Sequence, residues 1–404
     1  MTSKSIPLPP RRSASPATAR RLLLASTGKD WATLDSKAGA DEENQQAEEH
    51  RKKFQKHLTD VILSENLVVL TGLGTSLSVK GPNGKPLAPT MDDLWSAAKQ
   101  KAEAKFDTVK AAVSYTPDTE KENIEHLLSR CQMSEGLRPD PDVATFISDT
   151  EGIIVSKCRF VDEGLSLKTH EAFLRKIGRR STRLPRLKLF TTNYDLCFEA
   201  AASRTRFIVI DGFSHSVPQE FDGGYFGYDL VKRREDREVP DYITNVFHLY
   251  KLHGSVDWCL LGSQVHKAAK PEKPLIIYPR ESKFELSYDQ PFLELMSRLQ
   301  MALRQANTGL LVIGFGFNDR HIAQPVLAAL KSNIGLKAMV VSPVLEKAGN
   351  PIIDEMALLV REGDPRLALL ETAFENLVPE IPDLVAATEE EQHMERLRNL
   401  EGAK

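Results

Sequence analysis

The chain has 404 residues, of which 41% are hydrophobic and 27% are charged, as expected for a globular protein that can bury a substantial core. Its formal net charge of −3 excludes a general attraction to nucleic acid or anionic membranes. No apolar run approaches the roughly 20 residues that a membrane-spanning helix needs. We therefore expect a cytoplasmic protein without membrane contact.

The four cysteines are scattered along the chain and form no C-x-x-C pair: Cys131, Cys158, Cys197 and Cys259. A zinc ribbon needs paired thiolates at short spacing, so no structural zinc is expected. Four isolated thiols in a chain of this length suit a reducing cytosol better than a disulfide framework. Cys259 lies close to His253 in sequence and could act as a nucleophile, although a core cysteine is the favoured interpretation.

The first 50 residues are predicted to form a flexible basic arm followed by a polar segment. Residues 1–20 are rich in Ser, Pro and Arg and contain few apolar side chains, a composition typical of disorder. Arg20 and Arg21 precede three leucines, which resembles a twin-arginine export signal, but the apolar part is too short for one. Phe54, Leu58 and Val61 then have the spacing of one helical face.

Short apolar runs that read as buried strands recur through the rest of the chain, with helical patterns between them. The alternation predicts an α/β fold, a Rossmann-like, mostly parallel sheet with helices on both faces and a helical insertion at about 95–180. We expect a catalytic domain at 51–345 and a helical C-terminal extension at 346–404. The predicted strands are Leu67–Leu70, Leu187–Phe190, Phe207–Ile210, Phe247–Leu252, Leu310–Ile313 and Met339–Val341.

Glycine-rich turns follow two of these strands. Thr71-Gly72-Leu73-Gly74-Thr75-Ser76 follows the first, and its amides and hydroxyls suit a pyrophosphate. A bare G-x-G turn is more often a simple tight turn, and the third glycine of the dehydrogenase fingerprint is missing. The turn Gly314–Asp319 follows Leu310–Ile313, and a loop that leads into a capped helix is its alternative interpretation.

Polar clusters follow two further strands. Thr191-Thr192-Asn193-Tyr194-Asp195 suits ribose hydroxyls, but a helix cap formed by Asn193 or Asp195 explains it equally well. His253-Gly254 stands where a general base is useful, although a lone histidine is more often structural. Ligands bind at the carboxyl ends of strands in open α/β sheets, so the joint occurrence of the four turns favours a ligand site.

The order of these motifs resembles the zinc-free, sirtuin-like branch of bacterial antiphage NADases. Gly72–Ser76 stands where sirtuins carry G-A-G-x-S, Thr191–Asp195 where they carry T-Q-N-I-D, and His253-Gly254 where they carry the catalytic H-G. Gly314–Ile322 resembles the G-x-x-x-N-D-x-H-I pattern of this branch. Segments around Glu125 and Tyr278 also look typical of it.

More narrowly, the chain resembles the sirtuin-like subunit of two-component defence systems whose partner is a HerA-type hexameric ATPase (the Nezha type). The resemblance implies NAD+ as the substrate, depletion of NAD+ in abortive infection, a homo-oligomer that assembles with the ATPase, and DNA contact through the complex. It also implies catalytic roles for Asn193, His253 and Asp195. The implied NAD+ contacts are Gly72, Gly74, Thr75, Ser76, Thr192, Gly314, Phe315 and Ser342.

Two departures from the sirtuin pattern bear on the reaction. Thr192 replaces the glutamine that would contact the ribose, and the zinc ribbon that shapes the acyl-lysine groove of many deacylases is missing. Both favour hydrolysis of NAD+ over the alternative of an NAD-dependent protein deacylase. A nuclease or DNA-processing subunit remains a second alternative, with the basic arm and Lys232-Arg233-Arg234 as candidate DNA contacts. No clustered carboxylate–histidine set is apparent in the sequence for it. A module that binds NAD+ without turnover is the third alternative.

Overall fold

The computed structural model of the protein describes residues 20–36, 41–117, 122–233, 241–279 and 290–383. Most of the basic arm, Arg234 and the acidic tail from Glu389 onward lie outside these ranges. No helix in the described ranges is long and apolar enough to cross a bilayer.

A nine-stranded sheet forms the centre of the molecule, in the order β2-β1-β13-β12-β11-β3-β4-β8-β5. The seven strands from β13 to β5 are parallel to their neighbours, whereas β1 is antiparallel to both β2 and β13. The predicted mostly parallel sheet is therefore confirmed. The strands of this sheet are β1 Arg21–Leu24, β2 Ala32–Thr33, β3 Asn66–Thr71, β4 Lys188–Thr191, β5 Ile208–Ile210, β8 Val246–Lys251, β11 Thr308–Ile313, β12 Leu336–Ser342 and β13 Leu367–Glu371.

Helices cover both faces of the sheet, and two short hairpins extend from its edge. The predicted helical insertion is present as α3 to α7. The helices are α1 Asp41–Ile62, α2 Leu73–Ser76, α3 Met91–Ala102, α4 Lys105–Ala112, α5 Ile124–Leu137, α6 Pro141–Cys158, α7 Lys168–Ile177, α8 Cys197–Arg204, α9 Phe292–Arg304, α10 Arg320–Ser332, α11 Pro351–Arg361 and α12 Phe374–Leu377. The hairpins pair β6 Val231–Lys232 with β7 Asp241–Tyr242, and β9 Trp258–Leu261 with β10 Gln264–Lys267.

The central strands are mostly apolar because both of their faces are buried. Val68 and Leu70 of β3 pack into the core under α9, α10 and α11. Leu67 and Val69, which point the other way, pack into the core under α1, α7, α8 and α12. This period of two is that of a strand sandwiched between two helical layers. A third core lies within the insertion, where Phe106 packs among its helices.

Side chains cap several helices of the insertion. Thr90 accepts a hydrogen bond from the backbone N–H of Asp93, and the Asp93 carboxylate accepts one from the backbone N–H of Thr90. Asn123 and Asp140 cap α5 and α6 in the same way, each accepting from an N–H in the first turn. These caps set the starts of the insertion helices that face the site.

The sheet extends past both ends of the predicted catalytic domain at 51–345. Arg21–Leu24, within the predicted flexible arm, is a buried strand, and Leu367–Glu371, within the predicted helical extension, is its neighbour. The leucines after Arg20 and Arg21 therefore belong to the core. The physical reason is that β13 has an open edge with backbone groups to satisfy, and β1 pairs with it.

The order of the strands fixes where a ligand site can form. From β3, the chain builds β4, β5 and β8 on one side of the sheet and then returns to build β11, β12 and β13 on the other. The connections therefore reverse direction between β3 and β11. In open α/β sheets, the crevice at such a switch point, beyond the carboxyl ends of the strands, is the usual ligand site.

Candidate active site

A cavity of about 860 Å³ lies at this switch point, between the turns that follow the strands and the helices of the insertion. Its volume is within the range of small-molecule and cofactor sites. Gly72, Thr75 and Ser76 are not on its wall but lie directly against residues that are. The predicted site residues on the wall are Gly74, Thr192, Asn193, Asp195, His253, Gly314, Phe315 and Ser342.

The two glycine turns pack backbone against backbone. A Cβ on Gly74 would lie 2.5 Å from the Cα of Gly314, and a Cβ on Gly72 would lie 2.8 Å from the Gly314 carbonyl oxygen. Gly314 also has φ +61°, a conformation that residues with a side chain rarely adopt. These glycines are therefore required for β3 and β11 to end close together and form one floor for the cavity.

Most hydrogen-bond donors of the first turn are used within the protein. The Gly72 N–H donates to the Ile313 carbonyl at 3.1 Å and the Gly74 N–H to the Gly314 carbonyl at 3.0 Å. Both the N–H and the hydroxyl of Thr75 donate to the Gly72 carbonyl. The prediction that these groups contact a pyrophosphate therefore stays a prediction. In the structure, the Gly72 and Gly74 N–H groups bind the end of β11 and its turn, and Thr75 closes the first turn.

Asn193 is the best anchored polar side chain on the wall. Its Nδ2 lies 2.9 Å from the Gly72 carbonyl, 3.2 Å from the Thr75 hydroxyl and 2.8 Å from the Ser76 hydroxyl. Because the Gly72 carbonyl can only accept, the amide nitrogen must face the turn. The side chain is thus held by the neighbouring strand's loop, and its Oδ1 remains as an acceptor group.

Asp195 holds the loop after β4 through both of its carboxylate oxygens. One carboxylate oxygen accepts from the Ser76 hydroxyl at 2.6 Å, and the other accepts from the Cys197 N–H at the start of α8 at 3.0 Å. The buried Lys251 ammonium donates to the Asp195 carbonyl and pairs with Glu199 at 2.9 Å. Leu196 and not Asp195 is the N-cap of α8, so the bond to the Cys197 N–H lies just before the helix, and Asp195 also lies on the cavity wall.

His253 lies at the end of β8, and only 3% of its surface is exposed. Its Nε2 is 3.1 Å from the Nε2 of His321, so a hydrogen atom on one ring is shared with the other. Gly254 has φ +81° and lets residues 275 and 276 approach, since a Cβ there would lie 2.2 Å from the Leu275 carbonyl oxygen. The turn at Gly254 therefore fixes the position of the imidazole.

His321 and Asp319 are functional candidates that the sequence did not single out. Both belong to the start of α10, and with His253 they form a group whose potential ligand atoms all lie within 4.8 Å of one another. No such carboxylate–histidine set is apparent in the sequence, and the fold brings this one together. His253 is far from the other two residues in sequence. The group forms because the turns after β8 and β11 end at the same cavity. The Asn-Asp-x-His run after Gly314 was the available signal.

The insertion supplies the opposite wall. Asn123 and Glu125, at the start of α5, and Cys158, at the end of α6, line the cavity. Burial raises the pKa of the Cys158 thiol to about 12, so this group is uncharged at neutral pH. Burial also raises the pKa of Tyr194, whose hydroxyl donates to the Ile277 carbonyl. Cys158 and Tyr194 are therefore uncharged members of the cavity lining.

The ionic groups on the wall are mostly acidic. Glu125, Asp195, Asp319 and Glu375 line the cavity, whereas Lys80, which pairs with Glu375 at 3.4 Å, is a cation on the same wall. An anionic ligand therefore gains little from the general field of the cavity. Specific donors have to offset its charge.

Three other candidates lie elsewhere. Cys259 is in the β9–β10 hairpin, away from the described wall of the cavity. Lys232 and Arg233 are exposed at the β6–β7 hairpin, as a solvated charge run would be, and Arg234 lies outside the described residues. All four cysteines are free thiols in separate elements.

One family model matches part of the chain. Residues 188–352, about two fifths of the chain, match the SIR2-like domain. No curated protein matches the chain significantly.

Two solved structures are similar in part. One, described as "Structural Basis for the Mechanism and Regulation of Sir2 Enzymes", has 13% identity and a TM-score of 0.38, covering 82% of this chain and 96% of its own. The other is a cytosolic 5′-nucleotidase IIIB bound to cytidine, with 8% identity and a TM-score of 0.26, covering 81% of this chain and 90% of its own. At these scores neither structure carries information on what this chain binds.

Proposed function

We propose that the protein is an NAD+ glycohydrolase that cleaves the nicotinamide–ribose bond to give nicotinamide and ADP-ribose. The observation that carries the proposal is that Asn193 and His253, from the ends of the paired strands β4 and β8, line one cavity at the switch point. The match of residues 188–352 to the SIR2-like domain supports the same class of substrate.

The cavity fits the demands of a dinucleotide. An extended ligand of this size needs a long crevice, and about 860 Å³ between the strand ends and the insertion is sufficient. We assign the adenosine end to Gly314, Phe315 and Ser342, which lie on the β11–β12 side, and the nicotinamide ribose to the β4–β8 side. Gly74 and Thr192 line the wall between them and are assigned to the phosphates and the ribose.

The chemistry follows from the leaving group. As the bond between C1′ and the nicotinamide nitrogen breaks, its electron pair goes to nicotinamide, and positive charge develops on the ribose. Water then forms the new C1′–O bond and loses a proton. We assign the orientation of the water or the ribose hydroxyls to the Oδ1 of Asn193 and acceptance of the proton to His253. Asp195 and Ser76 act through Asn193 as positioning residues.

Incubation with NAD+ alone, followed by chromatography, tests the proposal. A glycohydrolase releases nicotinamide without any other substrate, whereas a deacylase requires an acetyl-lysine peptide. We expect Asn193→Ala and His253→Ala to lower the rate by about 100-fold or more while remaining folded. His215→Ala, at an exposed histidine, is the matched control and should keep the wild-type rate. Wild-type turnover in both site variants would contradict the assignment.

The biological setting is a further part of the proposal and rests on the motif resemblance. It comprises antiphage defence by abortive infection, a homo-oligomer, and a complex with a HerA-type ATPase that contacts DNA. Co-purification of the full chain with such an ATPase, followed by NAD+ loss with and without it, tests this part. A complex with raised turnover is expected, and two proteins that elute separately would contradict it.

A further inference from the structure

The group of His253, Asp319 and His321 has the chemistry of a metal site. It offers two imidazole nitrogens and one carboxylate oxygen, all within 4.8 Å of one another. Two histidines and a carboxylate are a common donor set for zinc and for other divalent transition metals. His253 is buried at the end of β8, whereas the other two are half-buried at the start of α10, so two rigid elements present the donors.

The spacing of the two imidazoles suits chelation. Zinc–nitrogen bonds of about 2.0–2.1 Å at a tetrahedral angle place two ligand nitrogens roughly 3.3 Å apart. The Nε2 atoms of His253 and His321 are 3.1 Å apart, so a shift of a few tenths of an ångström admits an ion between them. The same contact serves as a hydrogen bond when no ion is present.

The surroundings favour a cation and leave a coordination position open. His253 and Asp319 both line the cavity, so the side of the group that they share faces a space that holds water or a ligand. Glu125 and Asp195, which line the same cavity, add negative charge, which raises the local concentration of cations. Three protein donors and one open position form an incomplete, exchangeable site.

We propose that His253, Asp319 and His321 bind a divalent transition metal ion, with Zn²⁺ as the best fit, and that the bound ion inhibits the enzyme. Inhibition follows because a nitrogen that coordinates a metal cannot accept a proton. This second half rests on the proposed role of His253 in NAD+ cleavage, whereas the metal site itself does not. Zn²⁺ would then be a reversible inhibitor that acts at the floor of the cavity.

Co²⁺ binding to the untagged full-length protein tests the site without any reference to activity. We expect one Co²⁺ per chain with the visible absorption of a four-coordinate nitrogen–oxygen site, displaced by Zn²⁺. His321→Gln and Asp319→Asn should each weaken binding by about 100-fold or more, because loss of a ligand exceeds the 10- to 100-fold effect of losing a group that only supports one. His215→Ala should bind like the wild type. A spectrum and affinity that are unchanged in both ligand variants would overturn the site.

Nicotinamide release in the presence of Zn²⁺ tests separately whether the bound ion inhibits the enzyme. Zn²⁺ added to wild-type enzyme should stop nicotinamide release at the concentration that displaces Co²⁺, and a chelator should restore it. Turnover that continues with the site saturated would overturn inhibition and leave the metal site standing. Absence of NAD+ cleavage under every condition, with Co²⁺ bound as expected, would instead contradict the proposed function alone.

Discussion

The Ser76 hydroxyl donates a 2.6 Å hydrogen bond to the Asp195 carboxylate, and this bond ties the turn after β3 to the turn after β4. The same hydroxyl accepts from the Asn193 amide at 2.8 Å. Ser76 is almost fully buried, so water does not compete for either bond. One small side chain thus holds both the carboxylate and the carboxamide of the candidate site.

Ser76→Ala should remove both bonds at once. A buried hydrogen bond to a charged group contributes about 1.5–3 kcal/mol, so we expect a loss of stability of this order. Because Asn193 loses one of its anchors, nicotinamide release should fall by about 10-fold, a cost of about 1.4 kcal/mol in the barrier. Thermal unfolding and steady-state kinetics measure the two effects.

Ser78→Ala is the control for this prediction. The Ser78 hydroxyl donates to the Thr75 carbonyl at 2.7 Å, in the same turn, but does not contact Asp195 or Asn193. It should leave kcat/KM near the wild-type value. Equal kinetic losses in the two variants would show that the turn as a whole matters, and not the link through Ser76.

Gly74→Ala should be strongly destabilising. The added Cβ would lie 2.5 Å from the Cα of Gly314, and this is a backbone atom, which cannot rotate away as a side chain can. We expect a loss of about 3 kcal/mol or more in the free energy of unfolding, as for other overpacked core positions. Denaturant unfolding measures it.

Gly152→Ala is the matched control. Gly152 lies in α6, where an added Cβ has nothing within 4 Å. Alanine stabilises a helix interior by about 0.5–1 kcal/mol relative to glycine, so this variant should be more stable than the wild type. A Gly74 variant as stable as the wild type would mean that the two turns do not pack as described.

Lys251→Met should unfold the protein more easily because it leaves a charge without its partner. Lys251 is buried and pairs with Glu199 at 2.9 Å, and it also donates to the Asp195 carbonyl. Removal of one member of a fully buried pair typically costs about 3–5 kcal/mol, and because the Glu199 side chain is partly exposed we expect a loss at the lower end of this range. Burial raises the pKa of Glu199, so the added change Glu199→Gln, which removes the orphaned charge, should recover part of the loss.

An exposed ion pair serves for comparison. Lys105 and Asp142 are 2.7 Å apart on the surface of the insertion, where water screens them. Lys105→Met should leave the denaturation midpoint nearly unchanged. A Lys251 variant that behaves in the same way would contradict the account of the β4–β8 loop.

His170 should make the fold sensitive to acid. It lies between the rings of Phe198 and Phe374, and neither ring nitrogen has a hydrogen-bond partner among the described residues. Burial lowers the pKa of His170 to about 4, whereas an unfolded chain has a histidine pKa near 6.5. The unfolded state therefore binds the proton first. The native state loses stability as the pH falls from about 6.5 to about 4, by up to about 3 kcal/mol.

His170→Phe should flatten this part of the stability profile, because an aromatic ring remains and the titrating group is gone. The measurement is the free energy of unfolding at pH 7, 5.5 and 4.5 for both proteins. His215→Ala, at an exposed position, should retain the wild-type slope. A wild-type slope in the His170 variant would contradict the burial of an uncharged imidazole there.

The parts of the fold that local pattern determines were predictable. All six strands predicted from apolar runs are present, because strands that lie between two helical layers bury mostly apolar side chains. The four turns at their ends follow from this, since parallel strands end on the same side. The antiparallel edge formed by β1 and β2 was not predictable in this way. Arg21–Leu24 is only four residues long and is a strand because β13 offers it a pairing edge.

The position of the candidate site was predictable in part. Asn193 and His253 were predicted because each is a polar residue at a strand end, and both line one cavity, while their catalytic roles stay a prediction. The sequence could not show that the Gly72 and Gly74 N–H groups are already hydrogen-bonded within the protein. Their acceptors, the carbonyls of Ile313 and Gly314, lie more than 200 residues further along the chain. The group around His321 could not be seen in the sequence either, because it forms only where the start of α10 meets the turn after β8.

The central claim is that NAD+ binds across this cavity with its scissile bond between Asn193 and His253. An experimental structure of the His253→Ala variant, prepared at an NAD+ concentration that calorimetry shows to be saturating, tests it most directly. The account predicts the nicotinamide ribose beside the carboxamide of residue 193 and the adenosine beside Gly314 and Ser342. A dinucleotide bound at another surface, or an empty cavity at saturation, would contradict it.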